Sequence, residues 1–151
     1  MSKKILVPID LADMKTSAKV LEAALEQFDA AKDPELIVMT VVPHFVTGVD
    51  YRYAIRGETG GSQDFDLRKL VAEALKKLNE VVEEATPDGM SVKTIARHGS
   101  VYEEVLEVAE EIGADQIVVG AHRPSAADFL IGPNTARIVR HAKCSVNVVR
   151  L

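Results

Sequence analysis

Unbroken apolar runs and helical stripes take turns along this chain. KILVPI (residues 4–9) is a short β-rich run followed by Asp10, and from Thr16 onward Val20, Leu21, Ala24, Leu25 and Phe28 recur at helical spacing. ELIVMTVV (residues 35–42) is nearly all apolar with Thr40 inside it, the pattern of a strand covered on both sheet faces, and it ends at Pro43. From Pro43 to about Asp64 no period holds. Leu67, Leu70, Val71, Ala74, Leu75, Leu78, Val81 and Val82 then form a broad stripe that predicts a helix stopping before TPDG.

SVKTIARH (residues 91–98) alternates Val92, Thr94 and Ala96 with Lys93, Ile95 and Arg97, which predicts a strand toward the sheet edge, closed by Gly99. Ser100 and Glu103 match a capping box, opening a helix with Val101, Val105, Val108, Ala109 and Ile112 inward and Gly113 as its stop. QIVVG is a fourth strand, a last helix starts near Pro133, and SVNVVRL (residues 145–151) is a fifth strand. Strands alternating with helices imply right-handed crossovers and a mostly parallel sheet of about five strands.

At 151 residues the chain is expected to be a single domain, 1–151. No apolar run reaches the roughly 18 residues of a membrane span, and the start MSKKILVPID lacks a secretory pattern, so no membrane association and a cytoplasmic location are expected. The single cysteine, Cys144, excludes an internal disulfide and is expected to pack as a small apolar residue. Residues 116–151 carry five Arg/Lys against one acid in a chain of net charge −5. So local a basic end suits a small phosphate ligand better than nucleic acid, and no nucleic-acid partner is expected.

In doubly wound sheets ligands sit beyond the carboxyl ends of the strands, where the winding reverses. The candidate walls are therefore the ends of the first and fourth strands, PID and VVG. Gly120 and Gly132 would let backbone approach a phosphate, the start of the last helix would attract one, and His122, Arg123 and the Thr135 hydroxyl could add donors. By spacing alone, a plain strand end and a turn into a helix explain both glycines equally well. Asp10 reads as a ligand or as a helix cap; Asp13 and Thr16, also placed for capping, leave it freer.

Other features carry less. RGETGGS (residues 56–62) lacks the GK[ST] ending of a phosphate loop and follows no strand directly, so a flexible loop is expected. His44, His98, His122 and His141 are not at metal-ligand spacing, and no G-x-S-x-G elbow is present. Arg140, His141 and Lys143 are explained by the dipole at a helix C-terminus.

KILVPID at the start and GAHRP…DFLIGPNTARIVRHAKCSVNVVR at the end resemble the universal stress protein family over almost the whole chain. The family's nucleotide-binding motif runs glycine, two residues, glycine, nine residues, glycine, then Ser or Thr. Here Arg123 stands at the second glycine, eight residues separate it from Gly132, and Pro133 stands at the Ser/Thr, a variant similar to the F and G subgroup. Pro133 removes a donor from the phosphate cradle and Arg123 adds a cation. The resemblance implies a flavodoxin/Rossmann-like α/β three-layer sandwich and an adenine nucleotide, ATP or AMP, with Mg as ATP's companion. It places the nucleotide against Pro8, Ile9, Asp10 and Val41 on one side and Gly120, His122, Arg123, Gly132, Asn134 and Thr135 on the other. It also implies a homodimer through strand 145–151 and a regulatory output in the stress response, against the alternatives of a nucleotide-independent dimeric protein and a slow ATPase or autophosphorylating protein.

Overall fold

The computed structural model of the chain describes residues 3–43, 61–121 and 133–150. In chain order the elements are β1 (Lys3–Pro8), α1 (Met14–Ala30), β2 (Pro34–Val42), α2 (Gly61–Ala85), β3 (Val92–His98), α3 (Val101–Ile112), β4 (Gln116–Gly120), α4 (Pro133–His141) and β5 (Ser145–Val149). The strands form one sheet in the order β3-β2-β1-β4-β5. All four neighbouring pairs are parallel, so the sheet is wholly and not just mostly parallel.

Two faces of the sheet carry two cores because each strand sends alternate residues to opposite sides. Ile5, Val7, Leu36, Val38 and Val118 pack with Val20, Leu21 and Ala24 of α1 and Leu78 and Val82 of α2. Leu6, Ile37, Met39, Ile117 and Val119 pack with Val105, Val108 and Ala109 of α3 and Ile138 of α4. This gives the three-layer arrangement expected, with β2 buried on both faces and β3 at an edge.

Several local expectations change. Helix α2 begins at Gly61, inside the stretch expected to be loop as far as about Asp64; residues 44–60 of that stretch lie outside the described residues. Ser100 precedes α3 without a side-chain capping bond. Only the backbone closes that turn, Glu104 N–H donating to the Ser100 carbonyl at 3.0 Å, so the capping box does not form. Gly113 ends α3 as expected: its φ of 67° is left-handed, and its N–H reaches the carbonyls of Ala109 and Glu110. Cys144 packs beside the second core, and burial pushes its thiol pKa up.

Candidate functional site

Strand order reverses between β1 and β4: the chain moves outward from β1 to β2 and β3, then returns to the other side of β1 for β4 and β5. A doubly wound sheet opens its ligand crevice at that point, beyond the carboxyl ends of the two strands. Pro8, Ile9 and Asp10 lie at the end of β1, and Gly120 and Ala121 at the end of β4. The topology thus brings together two segments that are 110 residues apart, Asp10 and Gly120.

Strand parity shows what each wall offers. Successive residues turn their backbone groups to opposite neighbours. Ile9 N–H donates to the Met39 carbonyl at 2.8 Å, so Met39 and Val41 both turn toward β1. Pairing of β1 with β2 ends at Pro8 opposite Met39. Val41 therefore presents one donor and one acceptor, side by side, to the space that β1 vacates, and toward that side it makes no backbone bond to the described residues. On the other wall, Ala121 N–H donates to Val149 at 2.8 Å, which turns Gly120 back toward β1.

Side chains then fix the ends of both strands. Asp13 caps α1, its carboxylate accepting from Thr16 N–H at 3.2 Å. Asp10 is exposed, but it is less free than expected, because its Oδ1 accepts Ala12 N–H at 2.9 Å. Such an Asx turn holds one oxygen of the carboxylate. Ser17, 3% exposed, grips the Asp10 backbone: its hydroxyl accepts Asp10 N–H at 3.0 Å and donates to the Asp10 carbonyl at 2.7 Å. The Thr135 hydroxyl, expected as a phosphate donor, donates to the Gly120 carbonyl at 2.9 Å. Asn134 lies exposed in the first turn of α4 behind Pro133. His122, Arg123 and Gly132 lie outside the described residues.

Ser17 was not singled out from the sequence, although a signal was present. It shares the inner face of α1 with Val20, Leu21 and Ala24, and a hydroxyl on an apolar face needs a partner when buried. Among the described residues no group of three His, Cys, Asp or Glu could hold a metal, and no helix is long and apolar enough to cross a membrane. Two surface grooves lie away from the crevice, one floored by Ile37, Ile95 and Ile112, the other between the C-terminal ends of α3 and α4.

Fold and crevice together define a doubly wound α/β protein with an open site at the strand reversal. The model of the Universal stress protein family matches residues 1–150, and the chain belongs to that family. Universal stress protein G of Shigella flexneri is 34% identical over 154 residues, spanning 99% of this chain and 100% of that protein. The solved structure of the protein MJ0577 superposes with a TM-score of 0.73 at 27% identity, covering 99% of this chain and 96% of that one. A universal stress protein solved in complex with cAMP superposes with a TM-score of 0.60 at 21% identity, covering 98% and 96%. At that identity the likeness concerns the fold.

Proposed function

We propose that the crevice between β1 and β4 binds ATP or another adenine nucleotide, and that the bound state regulates how this universal stress protein acts in the stress response. Val41 is the observation that carries this reading: its N–H and C=O, turned to the space beyond β1, match the adjacent acceptor and donor on the edge of adenine. A fold neighbour that holds cAMP supports the class of ligand. Pro8, Ile9 and Asp10 would line the base and ribose. Gly120, His122, Arg123, Gly132, Asn134 and Thr135 would face the phosphates, with backbone N–H groups past Pro133 supplying part of the attraction. In this reading Mg2+ would accompany ATP.

The whole chain, 1–151, acts as one domain in this reading, and its soluble site would be cytoplasmic. Its second partner is another copy: β5 is the last strand of the sheet and pairs with β4 on one side, which leaves an edge for antiparallel addition of the same strand. Sedimentation that returns a monomer at cellular concentrations would remove that part of the reading.

The test is thermal unfolding of nucleotide-stripped protein with ATP, AMP and GTP. At about 100 times Kd, linkage gives about 2.7 kcal/mol, or roughly 5 to 11 °C in a domain of this size. A shift with ATP and none with GTP is expected; no shift with any nucleotide at millimolar concentration would favour the nucleotide-independent dimer.

A further inference from the structure

The ladder between β1 and β4 stops early. Its paired residues are Ile5 with Gln116 and Leu6 with Ile117, although β1 runs on to Pro8 and β4 to Gly120. The neighbouring ladders run to the ends of these two strands, β1 with β2 as far as Pro8 and β4 with β5 as far as Gly120.

Continuing the register shows what is missing. Ile9 turns its N–H to β2, so the even residues of β1 turn to β4; Ala121 turns its N–H to β5, so Val118 and Gly120 turn to β1. The next bond would take the nitrogen of residue 8 to the Val118 carbonyl, the following one Gly120 N–H to the Pro8 carbonyl, and the one after that Asp10 N–H to the Gly120 carbonyl. Residue 8 is proline and has no N–H to give. Asp10 N–H is already bound by Ser17 of α1, and the Gly120 carbonyl by Thr135 of α4. Both groups of that last bond are thus satisfied by hydroxyls from helices on opposite faces of the sheet.

We infer that Pro8, Ser17 and Thr135 are positioning residues that keep the carboxyl ends of β1 and β4 from zipping together, and so hold the crevice open before any ligand arrives. A part-buried N–H or carbonyl deprived of its partner seeks another. Removing both hydroxyls leaves one donor and one acceptor of matching strand parity, which the register places to bond each other in competition with water. This rests on the proposed nucleotide site for its purpose but not for its geometry.

The experiment compares Ser17→Ala, Thr135→Val and the double variant, first without ligand. A through-hydrogen-bond coupling between the Asp10 nitrogen and the Gly120 carbonyl carbon is expected in the double variant and absent in the parent. The double variant should also lose less melting temperature than its two single variants added together, since each orphaned group finds the other. A folded double variant without that coupling overturns the inference. Should it fail to fold, Pro8→Ala decides instead: its new amide should be protected from exchange, and free exchange would overturn the inference. ATP titration forms a separate arm, with at least a tenfold loss of affinity expected in the double variant. If the parent itself binds no nucleotide, the proposed function fails while the ligand-free coupling still decides the positioning role.

Discussion

The same two strands, β1 and β4, meet in opposite ways at the two ends of the sheet. At the amino end they are stitched. Lys4 N–H donates to the Asp115 carboxylate at 2.8 Å, Asp115 N–H donates to the Lys4 carbonyl at 2.9 Å, and the Lys4 ammonium caps the Ile112 carbonyl of α3 at 3.0 Å. At the carboxyl end, the donor of residue 8 is absent, and Asp10 N–H and the Gly120 carbonyl are taken by Ser17 and Thr135. In the first case polar groups close the strand pair; in the second they occupy the very atoms that would close it. One end closes the strand pair, and the other leaves it unpaired.

The larger of two ways to separate these roles acts on the stitched end. Asp115→Ala removes the acceptor of Lys4 N–H while leaving the backbone bond from residue 115 in place. Loss of one charge-assisted, solvent-reached bond should cost about 1 kcal/mol, read as a lower midpoint in urea. The proposed nucleotide affinity should stay within twofold of the parent. A fall in affinity as large as that expected for the Ser17 and Thr135 variants would show that the two ends are coupled, and the division drawn above would fail.

How far these features could be read from sequence follows from how local their causes are. Helix α1, strand β2 and the Gly113 stop were legible because a short window sets each of them: an apolar stripe, an unbroken apolar run, and a glycine at a left-handed turn. The crevice was legible as a place, since alternating strands and helices imply a reversal somewhere. What occupies it was not. That the Thr135 hydroxyl would lie next to the Gly120 carbonyl was hidden by the distance between the two residues in sequence. Ser17 left a trace as a polar residue on an apolar face, but its partner, the Asp10 backbone, depends on the packing angle of α1 against β1. The capping box at Ser100 failed for a converse reason: the motif was present, yet the side chain made no bond to the helix start.

Carboxylates at the two ends offer the finer test. At the amino end, Lys93 bonds Glu35 at 2.7 Å and, by that hydrogen bond first, holds its pKa below the ordinary value of 4.5. At the carboxyl end, Glu104 lies over Gly99, where a Cβ would meet its Cγ at 3.0 Å, and burial followed by the charge of Glu107 pushes its pKa above 4.5. The linkage signs are opposite. Glu35, lowered on folding, lends stability that is present above the unfolded pKa and fades as pH falls through the folded value. Glu104, raised on folding, lends stability that is complete below the unfolded pKa and is lost as pH rises through its folded value. Glu104→Gln should therefore raise stability at neutral pH, by no more than about 0.5 kcal/mol for a position that solvent still reaches in part, and its advantage should vanish below pH 4.5. Thermal midpoints of parent and variant measured from acid to neutral pH check this: an advantage that grew toward acid would mean that Glu104 is held ionised, as Glu35 is, and that the two ends do not differ in this respect.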